Sequence, residues 1–103
     1  MRDELNKLTR QDNECMVINT DHSRNNGTHW TSLFVKNGTS FYFDPFGLLP
    51  PLELVDYCKT PRYYNTFPIQ KYNEVLCGHY CIYFLQRMNN GDSFYDVCLN
   101  LYQ

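Results

Sequence analysis

The sequence predicts one domain that combines β-strands with α-helices, and three observations support this prediction. A length of 103 residues suits a single domain covering residues 1–103. The dipeptide Asn37-Gly38 separates two runs rich in β-branched and aromatic residues, which is a strong β-hairpin signal. A later apolar run from Cys77 to Met88 has the length of a helix. Aromatic residues make up 17% of the chain, which is enough to build a packed core.

Before the hairpin, the pattern predicts one short helix and one strand. Leu5 and Leu8 stand at helical spacing in a charged background, so residues 1–10 are predicted to form a short surface helix. The apolar run 15–18 is predicted to be a buried strand. The polar segment 19–27 is predicted to be a loop.

The register of the hairpin makes a prediction about two polar side chains. Its strands are residues 29–36 and 39–44, joined by a type I′ turn in which both central residues take positive φ. If Lys36 pairs with Thr39, His29 and Asp44 become diagonal neighbours on one face, within reach of an imidazole–carboxylate hydrogen bond. A slip of one residue would put them on opposite faces. The alternative is an exposed His and an Asp that merely ends a strand.

After the hairpin, Pro45-Phe46-Gly47 turns the chain away, and a helix and a strand follow. Pro50-Pro51 is predicted to open a two-turn helix over residues 52–58, which Thr60-Pro61 ends. Residues 62–67 are β-prone, and Pro68 limits them to an edge strand or a short strand.

The last part of the chain is predicted to be helical. The helix that begins at Cys77 is apolar on nearly every side, which predicts a position at the centre of the domain. Asn89-Asn90-Gly91 ends this helix. Ser93, with Asp96 three residues later, resembles a capping box that opens a short final helix.

Cys77 carries the clearest chemical signal. A cysteine at a helix N-terminus lies at the positive end of the macrodipole and favours its thiolate, nucleophilic form. Gly78 leaves space beside the sulfur, and its N–H is among the unpaired donors of the first turn. Gln70 can supply an amide donor, so the segment suits a nucleophile with donors for an oxyanion. The alternative is a buried cysteine that only packs at the start of a core helix.

Composition excludes several classes of function. The net charge of −2 argues against a broad nucleic-acid footprint, and no apolar stretch is long enough to span a membrane. The five cysteines are odd in number and irregularly spaced, and no secretion signal opens the chain. An intracellular, reducing compartment and a monomer are therefore expected.

His29, Asp44, Gln70 and Cys77 together form a complete set of parts for a thiol hydrolase. In this set the sequence resembles the adenovirus-type cysteine proteases, which are related to the Ulp/SENP SUMO proteases. The resemblance rests on His29-Trp30, on Asp44 followed by Pro45-Phe46-Gly47, and on Gln70 seven residues before Cys77-Gly78. It covers roughly residues 15–90. Proteases of this type also occur in adenovirus-related DNA viruses and virus-like transposons.

The resemblance implies a fold, a reaction and a role for each residue. The implied fold is α+β and papain-like but permuted, with a central mixed sheet packed on the helix that carries the nucleophilic cysteine. His29 would be the general base, Asp44 its partner, Cys77 the nucleophile and Gln70 the oxyanion donor. The implied function is a cysteine endopeptidase acting on polypeptides, cleaving after Gly in viral or virus-like structural precursors. The implied location is the host cell nucleus or the virion.

The chain also departs from the adenoviral pattern. Asp44 stands where the adenoviral enzyme has Glu, and the chain has about half the adenoviral length, which leaves open a minimal enzyme, a partial chain or a degenerate copy. No cofactor and no metal are predicted. The resemblance implies a peptide or DNA activator, but no basic patch supports DNA binding. In the adenoviral enzymes that this sequence resembles, the peptide cofactor is linked through a second cysteine. Cys58 is only a loose candidate for that cysteine, and packing at a helix end is the simpler role for it.

Three other functions compete with this prediction. The first is a deconjugating protease of ubiquitin-like modifiers, and the second is an inactive binding module on the same fold. The third is a metal or redox protein, because Cys77 and Cys81 lie four residues apart on one helix face and could share a zinc ion. No second Cys/His pair has suitable spacing for that metal site.

Trp30 has two possible roles. It can pack in the core, or it can wall the approach to Cys77 if the chain bends at Gly27-Thr28. The Trp at this position in SUMO proteases helps roof a narrow tunnel, so the resemblance implies that Trp30 and Gly78 bind substrate and select Gly before the scissile bond.

Overall fold

The computed structural model describes residues 2–8, 11–19, 29–58, 62–66, 68 and 77–101. A short 3₁₀ helix, Arg2–Lys7, comes first. The strands are β1 (Glu14–Asn19), β2 (Trp30–Lys36), β3 (Thr39–Phe43) and β4 (Arg62–Tyr64). The helices are α1 (Leu52–Cys58), α2 (Cys77–Asn89) and α3 (Phe94–Leu101).

The strands form one mixed sheet in the order β1-β2-β3-β4. The first three strands are antiparallel neighbours, and β4 pairs parallel to β3 after the chain has passed through α1. Within the described residues β4 is an edge strand of only three residues, as Pro68 predicted.

The β2–β3 hairpin has the predicted register and turn. Lys36 pairs with Thr39, and Ser32 pairs with Phe43 at the other end of the ladder. Asn37 and Gly38 have φ of 52° and 79°, the left-handed values that a type I′ turn requires.

Apolar side chains cover both faces of the sheet, so the fold has three layers. On one face, Leu33 and Tyr42 pack with Leu54 of α1 and with Leu5 of the 3₁₀ helix. On the other face, the β2 and β3 side chains Phe34 and Phe43 pack against α2 and α3. The rings of Phe43 and Phe84 stack with centroids 4.8 Å apart. The predicted mixed sheet packed on the helix that begins at Cys77 is therefore confirmed.

The ends of the helices follow local sequence signals. Gly91, with φ of 94°, ends α2 in a Schellman motif: the Asp92 N–H donates to the Arg87 carbonyl and the Gly91 N–H to the Met88 carbonyl. At the start of α3, Ser93 Oγ accepts a hydrogen bond from the Asp96 N–H at 3.2 Å, as an N-cap does.

Two predictions about burial were wrong. Helix α2 is not surrounded by protein: Ile82 is 51% exposed and Tyr83 is 40% exposed, because only one side of the helix lies on the sheet. Strand β1 is half-buried, because it is an edge strand whose alternate residues Cys15 and Val17 point to solvent. Among the described helices, none is long and apolar enough to cross a membrane.

Candidate active site

A buried histidine–aspartate pair lies at one end of the sheet. His29 immediately precedes β2 and Asp44 immediately follows β3, so the hairpin brings both residues to the same end. His29 Nε2 lies 2.6 Å from Asp44 Oδ1. The two residues are 8% and 2% exposed, so this charge-assisted hydrogen bond is sheltered from water. The predicted contact between the two side chains is confirmed.

The turn after β3 fixes the Asp44 carboxylate. Asp44 Oδ1 also accepts a hydrogen bond from the Phe46 N–H at 2.8 Å, which closes an Asx turn. The Asp44 carbonyl accepts another from the Gly47 N–H at 2.8 Å, and Gly47 takes a φ of 71° that favours glycine. These bonds are local, so the Asp-Pro-Phe-Gly segment contributes to the position of the carboxylate.

The same turn also fixes the imidazole plane. The ring of Phe46 stacks on the ring of His29, with centroids 4.0 Å apart and an interplanar angle of 1°. The sequence predicted a turn at this position but not the stacking. The imidazole is thus held at its edge by a carboxylate and on one face by an aromatic ring.

Asn65 is a further residue at the site that the sequence did not reveal. It follows β4, is 3% exposed, and forms two hydrogen bonds with the backbone of Asp44. Asn65 lies inside the run 62–67 that the sequence predicts to be a strand, and a single polar residue in such a run carries no functional signal.

Helix α2 begins beside the histidine. The Cys81 thiol donates a hydrogen bond to the Trp30 carbonyl, with 3.3 Å between Sγ and O. A Cβ added at Gly78 would lie 3.9 Å from Cδ1 of Trp30. The first turn of α2 therefore packs against the start of β2, and Cys77 is the first residue of this helix. For Cys77 the structure describes the backbone only, and Gln70 lies outside the described residues.

The electrostatics of this helix start favour an anion. Within the described residues, the first turn of α2 carries no acidic side chain that would offset the positive end of the helix dipole. The N–H groups of a first helical turn have no partners within the helix, and they bind anions or developing oxyanions when these are close.

Trp30 is 40% exposed, so it is not a core residue. Its indole lies at the surface beside Gly78. Core packing is therefore not the role of Trp30, and its role as a wall beside the start of α2 stays a prediction.

The other cysteines have different surroundings. Cys15 is exposed, whereas Cys58, Cys81 and Cys98 are buried, as predicted for Cys81. Burial raises the pKa of the Cys98 thiol to about 12. Cys58 is 1% exposed and packs in the core with Leu54, which suits the predicted packing role at the helix end.

Within the described part of the chain, no group of three or more His, Cys, Asp or Glu side chains could hold a metal ion. The zinc alternative needs a Cys81 thiolate, but Cys81 is 0% exposed and its thiol donates a hydrogen bond, so it carries its proton.

The mixed sheet, the helix that begins with cysteine and the His–Asp pair at the sheet end together define the fold of the Ulp/adenain-like cysteine proteases. A solved crystal structure of an ASFV protease matches this chain with a TM-score of 0.57 and 20% identity, over 84% of this chain and 38% of that one.

In sequence, the chain is similar to the protease of Bovine adenovirus C serotype 10. The two are 28% identical over an alignment 102 residues long, gaps included, and the match covers 81% of this chain and 52% of the relative. The chain thus spans about half the length of the curated relative that it matches. No family model matches the chain. The resemblance to adenovirus-type proteases predicted from the sequence is confirmed.

Proposed function

We propose that this chain is a cysteine endopeptidase in which Cys77 attacks the substrate, His29 moves the proton and Asp44 orients the imidazole. One observation carries the proposal: the buried His29–Asp44 pair, at 2.6 Å, lies at the sheet end where α2 begins with Cys77. This is the order of parts that a thiol hydrolase needs, namely nucleophile, base and a group that orients the base.

The proposal gives each ring nitrogen of His29 a separate role. Because Nε2 bonds the Asp44 carboxylate, Nδ1 is the nitrogen that exchanges a proton with the Cys77 thiol. The thiolate then attacks the carbonyl carbon of the scissile peptide bond, and a tetrahedral oxyanion forms. The imidazolium gives its proton to the leaving amine as the C–N bond breaks. Water, deprotonated by His29, hydrolyses the thioester and restores the thiol.

The oxyanion is proposed to be held by two kinds of donor. The first turn of α2 offers backbone N–H groups at its positive end. The Gln70 side-chain amide is the second donor, and this assignment rests on its spacing from Cys77 in the sequence.

We propose that the substrate has Gly before the scissile bond. The Trp30 indole stands beside Gly78, and an added Cβ at Gly78 would lie 3.9 Å from Trp30 Cδ1, so the space between them holds about one carbon atom. A substrate backbone that lies against this closed pair would have little room for a side chain. Trp30 and Gly78 would therefore select Gly by sterically excluding larger residues.

The proposed substrates are structural precursor proteins of a virus or a virus-like element, since both relatives are viral proteases. The proposed location is the host nucleus or the virion. The proposal includes no activator, because the net charge of −2 offers no footprint for DNA and Cys58 is buried.

The test is covalent capture followed by substrate profiling. A peptide ending in Gly with a thiol-reactive group in place of the scissile bond should modify Cys77, mapped by mass spectrometry, and His29→Ala should greatly slow the modification. A Cys15→Ser variant keeps the exposed thiol of β1 from contributing. Modification of another cysteine at the same rate would contradict the proposal.

Profiling then separates the two classes of substrate. Precursor-type peptides and intact ubiquitin-like modifiers are offered side by side to the same enzyme preparation. Faster cleavage of the precursor peptides is expected. Cleavage of the modifiers alone would identify a deconjugating protease instead.

A further inference from the structure

Asn65 makes a two-point contact with the residue that orients His29. Its side-chain oxygen accepts a hydrogen bond from the Asp44 N–H at 2.9 Å. Its side-chain nitrogen donates to the Asp44 carbonyl at 2.7 Å. Both residues are almost fully buried, at 3% and 2% exposure, so water does not compete for these bonds.

This contact extends the sheet beyond its last backbone pair. The parallel pairing of β3 with β4 ends at Tyr42 and Tyr64. One residue further along β4, the amide of Asn65 presents a donor and an acceptor as a peptide group does, and both reach Asp44. At the point where the chain leaves the sheet after β3, the Asn65 side chain thus makes the hydrogen bonds that a backbone peptide group of a neighbouring strand would make.

The bonds hold the backbone from which the Asp44 carboxylate extends. The carboxylate oxygen Oδ1 meets His29 Nε2 at 2.6 Å, and the same oxygen accepts the Phe46 N–H. A rotation of the Asp44 peptide groups would move Oδ1 away from the imidazole. Because hydrogen bonds weaken steeply with distance and angle, a small rotation is enough to weaken the pair.

We propose that Asn65 is a positioning residue that holds the Asp44 carboxylate in line with His29. The expected effect of Asn65 on catalysis rests on the proposed function. Its expected effect on the His29–Asp44 hydrogen bond does not. Asn65 acts through Asp44. The segment that directly follows β4 therefore contributes to the site, although no sequence motif marks this segment.

The first measurement tests the hydrogen bond without any substrate. The His29 ring N–H proton, donated to a buried carboxylate, should give a low-field NMR resonance that His29→Ala removes. Asn65→Ala should broaden or shift this resonance, because the Asp44 backbone loses both of its hydrogen bonds to Asn65. Val97→Ala truncates a buried residue of α3 and should leave the resonance in place at a comparable loss of thermal stability.

The second measurement is kinetic. With a Gly-containing peptide, Asn65→Ala should lower kcat by about 10²-fold and leave KM within a factor of about two, because misplacement of a catalytic group affects the transition state more than binding. Asn65→Asp has the same size and keeps an oxygen that can accept from the Asp44 N–H. A second carboxylate oxygen replaces the Nδ2 group that donates to the Asp44 carbonyl. Asn65→Asp should also shift the resonance and lower kcat, and it serves in place of Asn65→Ala if that variant does not fold.

The outcomes separate the two proposals. An unchanged resonance and kcat in either folded Asn65 variant would overturn the role of Asn65. Equal losses in Val97→Ala would also overturn it, because the effect would then be a general loss of stability. A shifted resonance in a protein that cleaves no peptide would support the role of Asn65 and contradict the proposed function.

Discussion

A hydrogen bond between the Cys81 thiol and the Trp30 carbonyl joins helix α2 to the β2–β3 hairpin, the two parts of the fold that carry the candidate site. Their hydrogen bond, 3.3 Å between Sγ and O, fastens the first turn of α2 to the first residue of β2. His29 precedes Trp30, and Cys77 precedes Cys81 by one helical turn, so this contact joins the two segments that carry the candidate catalytic residues. Cys81 has a structural role, and Cys77 is left as the candidate nucleophile.

The first prediction concerns the order in which the cysteines react. Iodoacetamide at neutral pH should label Cys77 first, because the helix start and His29 favour its thiolate. Cys15 is exposed but lies on β1, so His29→Ala should slow labelling at Cys77 and leave the rate at Cys15 unchanged. Cys98, with its pKa raised to about 12 by burial, should stay unlabelled until the protein unfolds. Mass spectrometry of tryptic peptides would measure all three rates; a faster reaction at Cys81 would refute the assignment.

The second prediction concerns the charge of Asp44. Asp44→Asn keeps an oxygen that can accept from the His29 Nε2–H and from the Phe46 N–H, so the turn should survive. The imidazolium loses its stabilising charge, and kcat should fall on the order of 10²–10⁴-fold. Thermal unfolding serves as the control for folding. Wild-type kinetics in a folded variant would assign Asp44 a structural role only.

The third prediction concerns Gln70 as an oxyanion donor. Gln70→Ala should lower kcat by about 10²–10³-fold with little change in KM, because the lost hydrogen bond forms only in the transition state. The rate of Cys77 labelling should stay near that of the wild type, since alkylation forms no oxyanion. A rise in KM alone would make Gln70 a substrate contact.

The fourth prediction concerns the space between Trp30 and Gly78. Gly78→Ala should fold, since the added Cβ would meet Trp30 at an ordinary 3.9 Å, and it should change the free energy of unfolding by no more than about 1 kcal/mol. The Cβ would nevertheless occupy the substrate path, so kcat/KM should drop. Trp30→Ala should instead lower the selectivity for Gly, so that Ala is also accepted before the scissile bond.

Matched peptides with Gly, Ala or Leu before the cut would measure this selectivity. Gly should be strongly preferred by the wild type, and the preference should be weaker in Trp30→Ala. Equal rates for Gly and Leu in the wild type would rule out the steric selection.

The parts of the fold that depend on neighbouring residues could be predicted from the sequence. The Asn37-Gly38 turn set the hairpin register, and strand alternation then placed His29 with Asp44. The cap at Ser93 and the stop at Gly91 follow equally local rules. Each of these depends on a few adjacent residues and on backbone preferences that no distant contact overrides.

The parts that depend on tertiary contacts could not be predicted. A run of apolar residues does not say how much of a helix is covered, so the exposure of Ile82 and Tyr83 was missed. The stacking of Phe46 on His29 depends on the path of the turn in space. The bonds of Asn65 to Asp44 join two strands through a long connection, and any loop asparagine has the same local signature.

The hairpin that carries both His29 and Asp44 has a consequence for how the protein matures. These residues are only 15 positions apart in the sequence, so closing the loop between them costs little entropy, and hairpins form within about 1–10 μs. Helix α2 must dock from a distant part of the chain, and such non-local contacts form later. We therefore expect the His29–Asp44 pair to form before α2 docks. Under the proposed function, a newly synthesised chain would then become able to hydrolyse peptides only in the last step of its folding, so it could not digest unfinished neighbours.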